Sequence, residues 1–430
     1  MRCSWKQAGL QDTDLRAGAR PAAALAGALL ALGVANIARA GPAIVGAQPV
    51  RAATALSPVA SLGRRLFFDT SLSASGALSC ASCHSPEHAY GPPDGRAVRL
   101  GGAALDREGT RAVPSLRYVL NRTPVWTEDV TASEAERVRD AEMPVGGFGW
   151  DGRFDSLREQ AAFPLLASNE MANADAAAVA AKLRAAPYAE EFRQVFGARV
   201  FDDPQAAFAQ ARVALERFLL EDPDLHPYTS RFDEYLDGKI QLTAQELRGQ
   251  ALFDDPERGN CAACHLDEQG ADGSHPLFTD YEMGSLGVPR NPQLRANADQ
   301  RYFDMGLCGP LRQDQAAKRE YCGLFKTPTL RNVATRKVFF HNGRFHTLRD
   351  ALRFYVRRDT EPLSWYPASA DGTADKFDDL PPALRENVDR HTEPLTRTAG
   401  EQPVWSDAEI EDVIAFLRTL TDADALDAAP

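Results

Sequence analysis

Apolar residues recur along this chain mostly at helical spacing, and the strict alternation of a half-buried strand is scarce. The clearest stripe is Ile410, Val413, Ile414, Leu417 and Leu420. It follows the capping-box sequence Ser406-Asp407-Ala408-Glu409 and predicts one amphipathic helix. A second capping box, Thr243-Ala244-Gln245-Glu246, predicts a helix beginning near residue 244. Alanine-rich segments from Asp175 to Ala186 and from Pro204 to Leu220 also read as helices, the latter stopping before Asp222-Pro223. A turn-rich linker then runs to about Gly238 and marks a domain boundary. Two long polar stretches, Thr127 to Gly147 and Pro367 to Gln402, lack periodicity and are expected to wrap the surface or a domain interface.

The pattern contains a repeat. Cys80-Ala81-Ser82-Cys83-His84 and Cys261-Ala262-Ala263-Cys264-His265 both spell C-x-x-C-H, the attachment signature of a c-type haem. Two thiols one turn apart can add across the vinyl groups of one porphyrin, and the adjacent imidazole can hold the iron. The flanks repeat as well. Leu62-Gly63-Arg64-Arg65-Leu66-Phe67-Phe68-Asp69 precedes the first motif, and Leu247-Arg248-Gly249-Gln250-Ala251-Leu252-Phe253-Asp254 the second. Downstream, Pro114-Ser115-Leu116-Arg117 is echoed by Pro328-Thr329-Leu330-Arg331, and Trp150-Asp151-Gly152-Arg153 by His341-Asn342-Gly343-Arg344. The expected fold is therefore mainly α, with two tandem class I cytochrome c-like haem domains at 41–236 and 237–430. Packing of the last segment back on the first domain is an option within this expectation.

Length and composition agree with this reading: 430 residues, 44% of them apolar, suffice for two cores. The first 40 residues differ from the rest. Arg2, Lys6, Arg16 and Arg20 precede an Ala/Leu run from Ala22 to Ala35, and Ala38-Arg39-Ala40 has the form of a cleavage site. This predicts a secretory signal peptide and a periplasmic protein; the run is short for a retained membrane anchor. Export suits the cysteines, because c-type haem is attached outside the bacterial cytoplasm and disulfides persist there. Cys308 and Cys322 stand fourteen positions apart among turn residues and are expected to pair, with two separate buried thiols as the alternative. The formal net charge is −12, and loss of residues 1–40 makes the remainder more acidic. Such a surface disfavours nucleic acid and anionic membranes and favours a basic electron carrier as partner.

The two copies differ where it matters for chemistry. Fourteen residues beyond Trp150 stands Pro164, whereas fourteen beyond His341 stands Tyr355. A tyrosine can ligate ferric iron through its phenolate oxygen, and proline has no side-chain donor. If this position faces the sixth coordination site, the second iron is closed and the first is open. Tyr355 also continues the apolar stripe of Leu348, Ala351 and Leu352, so a core role stays open, as does ligation by Met283 or Met305. Copy one carries Glu170 shortly after its proline and Gln160 four residues before it. An acid beside an open haem suggests peroxide chemistry, in which a base takes the proton from the near oxygen and returns it to the leaving oxygen.

Taken together, Leu66-Phe67-Phe68-Asp69, Trp150-Asp151-Gly152-Arg153 and Phe325-Lys326-Thr327-Pro328-Thr329-Leu330-Arg331-Asn332 before His341-Asn342-Gly343 resemble the bacterial di-haem cytochrome c peroxidase family, including its MauG-like branch. The resemblance spans about residues 57 to 420. It implies an inter-haem tryptophan at Trp150, a distal glutamine at Gln160, a distal proline at Pro164, an acid-base glutamate at Glu170 and a sixth ligand at Tyr355. It also implies covalent haem c held by Cys80, Cys83 and His84 and by Cys261, Cys264 and His265. Many members cap the resting first iron with a histidine. His88, only four residues past His84, would have to cross to the other porphyrin face, so the first iron is expected to stay open. The family's interdomain calcium is left open, because Ala112 stands where an asparagine is expected. The implied activity is reduction of hydrogen peroxide with electrons from cytochrome c or a cupredoxin, with homodimerisation as an option. A MauG-like oxidase acting on Tyr or Trp of a partner protein is the second reading. Against its best-known form, Gly259 stands where that enzyme has a surface tryptophan. A plain two-haem electron carrier is the third, and it requires both irons closed.

Overall fold

The computed structural model describes residues 55–118, 122–128 and 144–428. The predicted signal peptide and most of the Thr127 to Gly147 stretch lie outside the described residues. The described residues belong to one unit, Gly46–Pro430. They are helical with little sheet: two two-stranded antiparallel ladders, Leu100–Gly101 with Arg107–Glu108 and Met283–Gly284 with Phe325–Lys326.

The predicted helices form close to their predicted limits. Asp175 caps Ala176–Ala185, Asp203 caps Pro204–Glu221, and Thr243 and Ser406 make full capping boxes for Ala244–Asp254 and Asp407–Arg418. The supposed turn-rich linker holds a further short helix, Arg231–Leu236, whose capping box pairs Ser230 with Asp233. That box was readable, but the surrounding Pro, Asp and Gly residues masked it. The stretch from Pro367 to Gln402 does more than wrap the surface: Phe377, Leu380, Val388 and Leu395 are buried, the last at 4% exposure.

Two glycines set the architecture. Helix Pro58–Phe68 crosses Pro204–Glu221 at Gly63, where an added Cβ would lie 1.9 Å from the Ala214 carbonyl oxygen. Helix Ala244–Asp254 crosses Asp407–Arg418 at Gly249, where it would lie 1.9 Å from the Asp412 oxygen. Beside each crossing one ring meets another, Phe67 on Phe218 at 5.2 Å and Phe253 on Phe416 at 5.3 Å. The structural repeat thus matches Gly63 with Gly249 and Phe67 with Phe253. Aligning the two segments on their final Phe-Asp is off by one residue, and the exposure of Phe68, 42%, shows why: it faces away from the crossing. One apolar cluster gathers buried residues from Leu62 to Leu225, a second from Phe232 to Leu420.

Charged contacts join the two clusters. Arg117 donates to Asp422 at 3.1 Å and Asn332 donates to the same carboxylate at 2.6 Å, while the Tyr118 hydroxyl donates to its other oxygen. The segment after the helix Asp407–Arg418 is thereby tied to residues from both halves of the chain. Cys308 and Cys322 form a disulfide.

Candidate functional site

A cavity of about 670 Å³ runs between the two clusters, and both pentapeptides face it. Each pentapeptide begins with a tight turn, Cys80–Ser82 or Cys261–Ala263, and the following histidine N–H bonds back to the first cysteine's carbonyl, at 2.9 Å for His84 and 2.8 Å for His265. This turn brings both sulfurs and the imidazole to one wall.

The imidazoles are oriented for metal ligation. His84 Nδ1 donates to the carbonyls of Pro114 at 3.1 Å and Tyr90 at 3.3 Å, and His265 Nδ1 to that of Phe278 at 2.9 Å. Donation from Nδ1 leaves Nε2 with its lone pair for the cavity. Burial pushes both imidazoles down to about 4, against the pull of these carbonyls, so they stay neutral. Burial also pushes the Cys80 and Cys261 thiols up to about 12. Paired thiols and an oriented imidazole on each of two walls fit two haem groups.

The distal side differs between the copies. Ser156 caps Leu157–Gln160, and Pro164 falls in the separate short helix Ala162–Leu166. Thr347 caps the uninterrupted helix Leu348–Arg357, which carries Tyr355 at the equivalent position. Both Pro164 and Tyr355 line the cavity, together with Trp150, Gln160 and Glu170. The Tyr355 ring lies 5.6 Å from that of Phe340, and burial beside Cys261 and Cys264 raises its phenol well above the ordinary range. Met305 packs instead beside the disulfide. Met283 reaches the cavity wall but packs with Leu307 and Leu324. His88 Nδ1 bonds the Ser85 hydroxyl at 3.2 Å.

Glu170 is held by its backbone. Its N–H donates to the Ala167 carbonyl at 2.9 Å and its own carbonyl accepts from Gly102 at 2.7 Å. The ladder strand Leu100–Gly101 packs so closely here that a Cβ on Gly101 would lie 2.8 Å from the Glu170 Cα. Burial pushes the Glu170 carboxyl up to about 7, against the attraction of Arg153. Arg153 stacks 4.4 Å over Phe163 and pairs with Asp151 at 3.3 Å. The sequence reading assigned no role to Arg153, although the Trp-Asp-Gly-Arg repeat marked it.

Trp150 is fixed by its indole N–H, which donates to the Ala112 carbonyl at 2.8 Å, while the Ala112 N–H donates to the His341 carbonyl at 2.7 Å. Beside them Arg111 joins the halves, bonding Asp304 at 2.7 Å and Asp151 at 2.8 Å. Against the penalty of burial, Arg111 holds the Asp304 carboxyl below the usual range. No local signal could have found this cluster, because its members lie up to 193 residues apart. Ala112 offers calcium no side-chain oxygen, its carbonyl already accepts from Trp150, and the neighbouring Arg111 guanidinium supplies positive charge. Among the described residues no group of three or more His, Cys, Asp or Glu side chains could hold a metal ion. Dialysis against a calcium chelator is expected to leave the thermal midpoint unchanged; a drop restored by added calcium would contradict this.

A family model described as di-haem cytochrome c peroxidase matches residues 57–241. The chain is 32% identical over 372 residues to methylamine utilization protein MauG of Paracoccus denitrificans, covering 85% of this chain and 88% of that one. It is 28% identical over 310 residues to cytochrome c551 peroxidase of Nitrosomonas europaea, covering 71% and 75%. Among solved structures, the diheme peroxidase BthA from Burkholderia thailandensis superposes with a TM-score of 0.78 at 38% identity, covering 89% of this chain and 91% of that one. The protein is thus an oxidoreductase of a class built around two haem groups. The chain belongs to the bacterial di-haem cytochrome c peroxidase family, which includes the MauG-like branch. Among the described residues no helix is long and apolar enough to cross a membrane.

Proposed function

We propose that this chain is a periplasmic peroxidase that reduces hydrogen peroxide to water with electrons from a small soluble donor, a cytochrome c or a cupredoxin. In this reading residues 41–236 and 237–430 are tandem cytochrome c-like domains, each holding one covalent haem c. The observation that carries it is the shared cavity of Glu170, Pro164 and the Cys80–His84 turn, set against Tyr355 at the second turn.

When bound, the two haems supply the redox-active irons and the electron path between them. Cys80 and Cys83 anchor the first and His84 ligates it; Cys261, Cys264 and His265 do the same for the second. Pro164, which lines the same cavity, has no side-chain donor to offer an iron and would leave room for peroxide. Tyr355 would supply the second iron with a phenolate oxygen, and the positive charge of a bound ferric ion would offset the burial that otherwise keeps its proton on. Glu170 takes the proton from the near oxygen of peroxide and returns it to the leaving oxygen. Gln160 would position the substrate, and Trp150, which lines the same cavity, would carry electrons from one haem to the other.

Steady-state consumption of peroxide by the holoprotein with a reduced basic cytochrome tests this reading, and negligible turnover would contradict it. Tyr355 favours a second reading, a MauG-like oxidase that uses peroxide to modify Tyr or Trp of a partner protein. Oxidation of a partner without donor turnover would establish that one instead. In either case Tyr355→Phe is expected to change the absorption spectrum of one haem and leave the other unaltered; two unaltered spectra would place the ligand elsewhere.

A further inference from the structure

A second cavity, of about 300 Å³, adjoins the first, and the two share Gly109, Thr110, Asn169, Asp304 and Asp379 as wall residues. One of these shared residues, Asn169, immediately precedes Glu170 in the chain. The rim is drawn from both halves of the chain. Arg295 donates its backbone N–H to the Glu108 carboxylate at 2.7 Å and its guanidinium to the Asp106 carbonyl at 2.9 Å. Asn169 donates to the Glu108 carbonyl at 3.1 Å, linking rim to shared wall.

We propose that this second cavity is the route by which hydrogen peroxide reaches Glu170, with Thr110 and Asn169 as its inner threshold and Arg295 with Glu108 as its outer rim. The inference rests on the peroxidase reading, in which porphyrins occupy the larger cavity and Glu170, half-buried in its wall, needs a separate path for substrate. The chemistry of the walls suits that substrate. Hydrogen peroxide is small, neutral and both donates and accepts hydrogen bonds, so it can exchange bonds with the amide of Asn169, the hydroxyl of Thr110 and the rim carbonyls. A bulky aryl hydroperoxide replaces those bonds with apolar surface and meets a wall that two tethered strands hold in place.

Cyanide binding to the ferric holoprotein, followed by stopped flow, separates a route from a binding site. A plug in a route slows entry and exit together and leaves the equilibrium unchanged. Thr110→Trp is therefore expected to slow association and dissociation alike, each by about tenfold, with Kd unchanged. Arg295→Ala, at an exposed rim position, is expected to speed both. Unaltered association in Arg295→Ala and Thr110→Trp would overturn the route, as would a changed Kd with dissociation unaltered. Where Thr110→Trp fails to fold, the rates of Arg295→Ala decide the matter alone. Failure of the unsubstituted protein to bind cyanide at all would instead overturn the open first iron, and with it the reading on which this route depends.

Discussion

Glu170→Gln is expected to leave both haems attached while slowing peroxide cleavage by about a hundredfold or more, the scale of losing a general acid-base group. The amide keeps the shape and the backbone contacts with Gly102 and Ala167, so the loss isolates the proton-transfer role. The pH profile sharpens the test. Burial sets the Glu170 carboxyl at about 7, so the base form that accepts the first proton grows as pH rises through that value. Cleavage by the unsubstituted protein is expected to rise with pH and level off above about 7, whereas the profile of Glu170→Gln is flat across the same interval. A substituted protein that keeps both the rate and the slope would remove Glu170 from the chemistry. Stopped-flow absorbance after mixing with peroxide reads both quantities.

The second large effect concerns stability. Gly249→Ala places a methyl carbon 1.9 Å from the Asp412 carbonyl oxygen, in a helix crossing where backbone rather than a flexible side chain must move. Separating the helices would also part Phe253 from Phe416 and disturb the salt bridge of Arg248 to Asp412, 2.8 Å long in the present packing. The cost is expected to reach about 3 kcal/mol, the upper range for overpacking a close contact. Gly95→Ala is the control, since an added Cβ at that exposed position comes no closer than 3.8 Å to the Lys337 Cβ. Its effect is expected to stay within about 0.5 kcal/mol. Denaturant unfolding of the two variants measures the difference; equal midpoints would show that the crossing can relax.

What could be read in advance follows from the range of the interactions involved. Capping boxes and apolar stripes are local, so Thr243, Ser406 and the stripe from Ile410 located their helices from a few neighbouring residues. The repeat carried the comparison of Pro164 with Tyr355, and the backbone agrees: Gly152 and Gly343 adopt left-handed φ of 60° and 62°, and Phe148 pairs with Phe154 as Phe339 does with Phe345. Glycine takes that conformation at no steric cost, and both copies place one there. The register of the first helix escaped because Phe67 and Phe68 are indistinguishable by composition, and only the crossing shows which is buried. Contacts that depend on tertiary approach left no trace in the chain. Asp422 serves Arg117, Tyr118 and Asn332 from far along the sequence, and Arg111 finds Asp304 and Asp151 by the same means. The pentapeptides gave the sites of attachment, but the carbonyls of Pro114 and Phe278 that orient the imidazoles emerge only from the fold.

The central claim is that the two irons differ, the first lacking a protein donor on its distal side and the second sealed by Tyr355. Low-temperature EPR of the ferric holoprotein tests it most directly. The account predicts a high-spin signal from the first haem beside a six-coordinate signal that Tyr355→Phe alters. Two low-spin six-coordinate signals, both indifferent to Tyr355, would contradict it.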